Sequence, residues 1–399
     1  MNIFLIPSWY PDEKNYVQGI FIKEQFNALA EFKRDSNFIV SHLRNFNLPL
    51  KKPTESLRSV VDYSKQHKTI FKEQGPNLSV IENSALAWTD KLKGNISQQV
   101  KARFENFLFA RKKFGHIDLI HAHVSYPAGF AAMKLKERYG VPYIITEHMG
   151  PFPFQHFIKK GKLSEKISLP VKNSDRMIAV SSSLADKIKE YTGKSSVVIP
   201  NVVNENEFLP LPEGKLNNDK ITFLTVCSLI ESKGINELLH AAKNACGINE
   251  RIEFIIAGNG VMKKDILSFI TAHDLSDRIF LETDLDRKKV TEHFRNCDAY
   301  VLPSHHESFG VSYIEAMACG KPVIATDCGG PADFINSDNG LLVPVNDIEE
   351  ISNAILYMAE HLGKYDRKVI NKYFMENFSR KVVSEKIFSV YEEVTGANR

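Results

Sequence analysis

The sequence predicts an α/β protein built of two Rossmann-like domains, each with a parallel sheet, facing each other across a cleft. Three observations lead there. The chain has 399 residues, more than one hydrophobic core usually supports. Apolar runs of strand length alternate with amphipathic runs of helical length, which is the signature of βαβ units. That alternation stops near residue 215 and then starts again.

In the first half the order is NIFLIP, then GIFIKEQFNALAEF; IDLIHAH, then AGFAAMKLKERYG; PYIITEH; RMIAVS, then SLADKIKEYTG; and SVVIPN. In the second half it is ITFLTVCSL, INELLHAAKNA, IEFIIAGNG, a helix to about 273, RIFLET, KKVTEHFRNC, AYVLPS, VSYIEAMACG, PVIATD and GLLVPV. Between them NENEFLPLPEGKLNNDK, rich in Pro, Asn and charge, reads as the linker. Residues 1–204 are therefore expected to form the first domain and 205–379 the second. The last helix, within 380–399, follows a completed second sheet and is expected to pack back onto the first domain.

Composition narrows the class. Hydrophobic residues at 43% and charged residues at 25% suit a soluble globular enzyme. No run of about 18 apolar residues encodes a membrane span. The start, MNIFLIPSWYPDEK, has no basic leader and reads as a strand, so the expected location is cytoplasmic, with any membrane contact peripheral. Cys227, Cys246, Cys297, Cys319 and Cys328 are odd in number and form no close pair, and are read as reduced core thiols. Charge is divided unevenly: residues 1–200 carry 30 Lys/Arg against 18 Asp/Glu, leaving 21 against 30 in the remainder. A basic first domain calls for an anionic partner, either anionic lipid or a lipid-diphosphate acceptor. Nucleic acid is not expected, because no aromatic-basic motif accompanies the charge.

Ligands of doubly wound sheets bind beyond the carboxyl ends of the strands. The richest such stretch is 299–330, where a strand ends at Pro303 and the turn Glu307-Ser308-Phe309-Gly310 opens a helix at Val311. A helix start beside a glycine offers free N–H groups and a positive dipole end, which suits a diphosphate. Glu307 and Glu315 stand eight residues apart, a little over two turns, placed to contact the two ends of one extended ligand. A nucleotide sugar fits, with one carboxylate on sugar hydroxyls and the other on ribose hydroxyls.

The run Glu-Ser-Phe-Gly-x4-Glu-Ala-x-Ala-x-Gly-x-Pro-Val-Ile-Ala after Pro-Ser resembles the donor-site signature of family 4 glycosyltransferases, which are retaining enzymes of the GT-B fold. The resemblance extends over SWYPDEKNYVQGIFIKEQFNAL, DLIHAHVSYPAGFAA, YIITEH, SDRMIAVS, VVIPNVVNENEF, LTVCSLIESKGINELL and FIIAGNG, nearly the whole chain. It implies that Lys233 of the Lys-Gly pair neutralises the donor diphosphate, that Gly19 brings backbone near the diphosphate from the other domain, and that His123 reaches the donor sugar. The chain departs from the family where Gly-Arg usually precedes that lysine by five residues: Cys227-Ser228 stands there, so Ser228 offers a hydrogen bond and no charge. Either Lys23 or Arg287 compensates, or the donor is held less tightly.

Other signals are weaker. His121 shares a strand face with His123 and is read as structural; with His148 the two make a conceivable metal trio, but the signature implies a metal-free solution and no cofactor. Gly258-Asn259-Gly260 lacks the third glycine of a dinucleotide fingerprint and is read as lining the nucleotide end of the cleft, and Asp284-Leu285-Asp286 is discounted as a metal motif. Residues 96–113 carry Ile96, Val100, Phe104, Phe107 and Leu108 at helical spacing among Lys101, Arg103, Arg111, Lys112 and Lys113, either a basic helix on anionic lipid or a crossover helix under the next strand. Trp9-Tyr10 and Met149–Phe154 are acceptor candidates.

The expected activity is transfer of a hexose-type sugar, with retention and without metal, from a nucleotide sugar to a lipid-linked saccharide or polysaccharide precursor. UDP-sugar is favoured over GDP-mannose. The rivals are a GT-B sugar-nucleotide epimerase and a catalytically silent nucleotide-sugar-binding partner, which Ser228 favours.

Overall fold

The computed structural model describes residues 1–11, 19–48, 52–66, 68–88, 95–211 and 219–396; residues 12–18 of the first loop and 212–218 of the expected linker lie outside the described residues. The chain divides into two compact units. Unit 1 holds Met1–Val180, Leu184–Ile199 and the chain from Ser384 onward, and unit 2 holds Ser181–Ser183 and Pro200–Val383.

Unit 1 is built on an eight-stranded sheet. Its strands are β1 (Asn2–Pro7), β2 (Asn37–Asn47), β3 (Ile70–Glu73), β4 (Leu78–Ala87), β5 (Leu119–His123) and β6 (Tyr143–Glu147), then, beyond a small β7–β8 hairpin (Ile158–Lys159 and Lys162–Leu163), β9 (Arg176–Ala179) and β10 (Val197–Val198). The spatial order is β10-β9-β6-β5-β1-β2-β4-β3, parallel except for the β3–β4 pair. Strands β5 and β6 are buried along their whole length, as parallel strands covered on both faces must be, which is why LIHAH and YIITE read as apolar runs. The covering helices are α1 (Ile20–Phe32), α2 (Pro53–Gln66), α3 (Asn95–Phe114), α4 (Phe130–Tyr139), α5 (Glu165–Asn173) and α6 (Ser182–Thr192).

Helix α3 corrects one expectation. Leu108, assigned to its apolar face, is 50% exposed, and Arg103, assigned to its basic face, is buried. The packed side carries Gln99, Ala102, Arg103, Asn106, Phe107 and Ala110. Asn106 is tolerated there because its amide donates to Ser41 Oγ at 3.0 Å and the Ile81 carbonyl at 3.1 Å. Polar residues with internal partners on the buried side hide the face from a hydrophobicity pattern.

Unit 2 carries β11 (Ile221–Val226), β12 (Ile252–Ala257), β13 (Ile279–Glu282), β14 (Ala299–Leu302), β15 (Val323–Thr326) and β16 (Gly340–Val343), in the order β13-β12-β11-β14-β15-β16, all parallel. This is the doubly wound order 3-2-1-4-5-6. Its helices are α7 (Ile235–Ile248), α8 (Lys263–Ala272), α9 (Arg287–Asn296), α10 (Val311–Ala318), α11 (Ile348–Glu360), α12 (Arg367–Asn377) and the start of α13 (Arg380–Thr395). The unit begins at Pro200, a few residues before the expected boundary, because the start of the supposed linker is anchored: Phe208 is fully buried against Phe294, and Arg295 donates to the Glu207 carbonyl at 2.5 Å. Among the described residues no helix is long and apolar enough to cross a membrane.

From Ser384 onward α13 belongs to unit 1. Its Tyr391 hydroxyl lies 2.7 Å from His121 Nδ1, Phe388 packs on Phe32, and Glu393 pairs with Arg176. Tyr391→Phe leaves a fully buried ring nitrogen without its partner and is expected to cost about 1–3 kcal/mol, read from denaturant unfolding.

Burial holds the pKa of His121 down to about 3 and that of His123 well below its ordinary value, with neighbouring histidines adding to the effect. An unfolded histidine protonates near pH 6.5, so as pH falls below that value the unfolded chain takes up protons that the folded unit refuses. Stability of unit 1 should therefore fall by about 1.4 kcal/mol per pH unit for each such histidine. Hydrogen exchange of β5 and β6 amides, corrected for intrinsic rates, should show this loss between about pH 6.5 and about pH 5 and a shallower one in His121→Asn. Flat protection would refute it.

Candidate active site

The strand order of unit 2 reverses between β11 and β14, which leaves a crevice beyond their carboxyl ends. After β11 the chain passes Cys227 and the exposed Ser228, then makes a tight turn at Glu231–Lys233. Gly234 closes this turn with φ 67°, and a Cβ there would stand 1.8 Å from the Pro303 carbonyl oxygen. Only glycine lets the turn lie against the exit of β14, where the His305 N–H also donates to the Ser232 carbonyl at 2.9 Å. As a result Lys233 Nζ sits 2.7 Å from Glu307 Oε1, and Ser304 Oγ donates to the same oxygen at 2.9 Å. Burial draws the Lys233 pKa down, but the Glu307 carboxylate more than offsets it, so the ammonium is held above its ordinary value.

Glu307 is fixed from behind as well, since its carbonyl accepts from the Gly330 N–H at 2.9 Å. Gly310, at φ 94°, is the N-cap of α10 and makes no side-chain cap hydrogen bond. Ser308 and Val311 are half-buried on either side of it. The Phe309 side chain turns away into the core, against Phe334 and Phe378, which leaves only its backbone for any ligand.

Glu315, on the next turn of α10, is buried, and its Oε1 accepts from Arg287 Nη1 at 2.8 Å. Arg287 opens α9, which Asp286 caps by accepting from the Lys289 N–H at 2.8 Å. Its Nε donates to Glu207 Oε2 at 3.0 Å and its guanidinium lies 4.6 Å over the Phe208 ring. Burial pushes the Glu315 pKa up, and Arg287 pulls it part of the way back. Arg287 is thus committed to two carboxylates and does not stand as a spare charge for the position of Ser228. Lys23 lies on α1 of unit 1.

Gly258 and Gly260 have a packing reason. A Cβ on either would stand 1.9 Å from the Cys227 carbonyl oxygen or 2.2 Å from that of Leu229, and Leu229 N–H donates to the Asn259 carbonyl at 2.9 Å. The loops after β11 and β12 are stitched together there, at the edge of the crevice.

In unit 1 the corresponding reversal lies between β1 and β5. His121 uses both ring nitrogens internally, on the Tyr391 hydroxyl and on Thr146 Oγ1, each at 2.7 Å. His123 Nδ1 lies 3.0 Å from His148 Nε2, and its Nε2 is buried with no hydrogen-bond partner among the described residues. Of the two strand histidines, His123 is the one with an uncommitted nitrogen. Glu147, fully buried, ties the exits of β5 and β6 together: Oε2 accepts from the Ser125 N–H at 2.9 Å, and Oε1 from the N–H groups of His148 at 3.0 Å and Met149 at 2.9 Å. Gly19 precedes α1 at φ 78°, where a Cβ would stand 2.6 Å from the Trp9 backbone. Among the described residues no three His, Cys, Asp or Glu side chains are grouped to hold a metal ion.

The structure thus brings Lys233, Glu307 and Ser304 into direct contact and puts Glu315 on the helix that follows. Sequence reasoning missed Ser304, Glu207 and Glu147. Ser304 carried a signal, the Pro-Ser that ends the strand motif, whereas Glu207 was hidden in a stretch taken for linker.

Two doubly wound units, with paired Lys–Glu and Arg–Glu side chains at the switch point of the second, are consistent with a GT-B glycosyltransferase. The chain belongs to the family 4 glycosyltransferases: residues 91–207 match the family model described as Glycosyltransferase Family 4, and residues 211–373 match that of the Glycosyl transferases group 1. It is 31% identical to an uncharacterized glycosyltransferase of Methanocaldococcus jannaschii over 75% of this chain and 84% of that protein. It is 25% identical, over 91% of both chains, to a Bacillus subtilis protein named as a glycosyltransferase of teichuronic acid biosynthesis. Among solved structures, the Anabaena HepE protein in complex with UDP and glucose superposes with a TM-score of 0.70 at 17% identity, covering 98% of this chain and 100% of that one.

Arg287→Met strands the buried Glu315 carboxylate. Because the arginine side chain is itself 36% exposed, the expected cost is held to about 1–3 kcal/mol. Glu315→Gln in the same background should recover most of it. A double-mutant cycle in denaturant unfolding measures the coupling, and a value near zero would dissolve the pair as a stabilising unit.

Proposed function

We propose that the protein transfers a hexose-type sugar, with retention of anomeric configuration, from a UDP-sugar to a hydroxyl of a lipid-linked saccharide or polysaccharide precursor at the inner face of the cell membrane. GDP-mannose is the second donor choice. The observation that carries the reading is the Lys233–Glu307 contact beside the uncapped start of α10, with Glu315 one helix segment further on. Support for UDP comes from the likeness to a protein solved with UDP and glucose, and support for a polysaccharide product from the relative named for teichuronic acid biosynthesis. The basic first half favours an anionic acceptor or membrane surface.

In this reading the departing diphosphate is stabilised by the Lys233 ammonium and the α10 N–H groups, preorganised dipoles and charge aimed where negative charge develops. An ammonium has three donors, and Glu307 occupies one. Lys233 can therefore meet a phosphate oxygen without leaving Glu307, and the pair holds the carboxylate ready for sugar hydroxyls. Glu315, kept in place by Arg287, takes ribose hydroxyls. His123 offers its uncommitted Nε2 to the sugar. Gly19, Ser228, Gly258 and the turn Ser308–Val311 contribute backbone or hydroxyl contacts to the donor. No metal or cofactor enters the reaction as proposed.

A thermal-shift screen against UDP, GDP and their sugar conjugates, with and without EDTA, tests the donor assignment. One nucleotide family should raise the melting temperature by several degrees, unchanged by EDTA, with the response lost in Glu315→Ala and weakened about tenfold or more in Lys233→Met. NMR of the product should then show the donor's anomeric configuration kept. Conversion of the donor without acceptor would instead point to an epimerase, and no response to any nucleotide to a silent partner, for which Ser228 would be the reason.

A further inference from the structure

Arg103 is the least compensated buried cation among the described residues. It projects from α3 to the point where the sheet of unit 1 reverses, and it is 3% exposed. Its Nη2 reaches the carbonyl of Pro7, the last residue of β1, at 3.4 Å, and its Nη1 reaches Gln99 Oε1 at 3.5 Å; both are at the limit of a hydrogen bond. Its Nε has no hydrogen-bond partner among the described residues. No carboxylate among the described residues pairs with it, whereas Arg287 holds two and Arg380 contacts Glu205.

An arginine in this state is expensive. Desolvating an ion costs several kcal/mol that only a counter-charge with good hydrogen bonds offsets, and fully buried arginines are accordingly paired. Burial brings its pKa down only to about 10, so the charge is retained at neutral pH. Tyr126, just beyond β5, favours the charged form of Arg103, and Lys166 Nζ lies 3.4 Å from the Tyr126 hydroxyl and 5.2 Å over its ring. The place is functional by topology. The Ser8 N–H, next to Pro7, donates to the His123 carbonyl at 3.2 Å, so Arg103 lies under the strand ends that also carry His123.

We propose that Arg103 is the buried cation of an oxyanion subsite at the β1–β5 switch point, and that its ligand is a phosphate or diphosphate group of the acceptor. The planar guanidinium fork matches such oxygens bidentately. That the phosphate belongs to an acceptor rests on the glycosyltransferase reading above; the anion site itself does not. Entry to a group this buried requires local opening of the surrounding loop ends, so protein stability is the readout that reports occupancy.

The full chain, with UDP saturating the donor site, is titrated with sodium phosphate and with pyrophosphate at constant ionic strength, following the melting temperature. The wild type should be stabilised, Arg103→Lys partly so, and Arg103→Met at least about tenfold less sensitive. Arg103→Met should also melt higher than wild type when no anion is added, because an uncompensated charge has been replaced by a side chain of similar volume. If Arg103→Met melts lower and responds to phosphate like wild type, the arginine is a structural residue and the proposal falls. A response equal in all variants places the anion elsewhere and has the same effect.

Cosedimentation with phosphatidylcholine vesicles carrying either a polyprenyl phosphate or phosphatidylglycerol then separates the sources. Arg103-dependent binding to the first alone assigns the carrier phosphate of an acceptor, and to both a lipid headgroup. Binding to neither, with the phosphate response intact, leaves the subsite to a free phosphate group and overturns its assignment to a lipid-linked acceptor. If UDP gives no stabilisation, the donor reading has failed, and the titration run without it still decides the role of Arg103.

Discussion

A parallel sheet can be built only with crossover connections, and where those connections change direction the ends of two adjacent strands are left uncovered. Everything chemical in this chain is arranged around that constraint, applied twice. In unit 2 the uncovered ends belong to β11 and β14, and the residues immediately after them, Cys227 to Gly234 and Pro303 to Val311, meet because Gly234 has no side chain to hold them apart. In unit 1 they belong to β1 and β5, where Arg103 reaches the Pro7 carbonyl and Ser8 donates to the His123 carbonyl. Strand order decides where a site lies, and loop chemistry decides what it does.

Charge is handled differently at the two places. At the unit 2 switch point Lys233 has a carboxylate in contact, that of Glu307, and Arg287 has two, those of Glu207 and Glu315. Such pairs add little net stability, but they hold side chains in one rotamer and keep buried groups ionised. In unit 1 the polar groups at the switch point include histidines kept neutral by burial and an arginine with no counter-ion among the described residues. A site whose charges are already balanced is suited to orienting a ligand, and one with an unbalanced charge to recruiting one.

Much of the fold was legible because parallel strands covered on both faces must be apolar throughout, and runs such as IDLIHAH and AYVLPS satisfy that locally. Glu307, Gly310 and Glu315 were legible for a similar reason: their meaning depends on spacing within one turn and one helix. Pairings made across long stretches of chain were not. Arg287 and Glu315 come from different helices, and Glu207 sits in a segment whose Pro and Asn content signals a linker until Phe208 is seen buried against Phe294. Arg103 belongs to a helix with so many lysines and arginines that one more looked solvated, and nothing local in the sequence tells the inward-facing arginine from its neighbours.

The discontinuity of unit 1 has a consequence for biosynthesis. His121, in the middle of its sheet, completes its hydrogen bonding only through Tyr391, and Thr395 Oγ1 reaches Met1 Sδ at 3.5 Å, so β1 and α13 finish the same body. As the polypeptide emerges from the ribosome, the unit 1 residues up to Ile199 have to wait for α13, while unit 2, one stretch from Pro200 to Val383 apart from Ser181–Ser183, already has nearly all of its strands and helices. Unit 1 therefore consolidates later than its first strands are made, and until α13 is synthesised Phe32 lacks the Phe388 ring that packs on it.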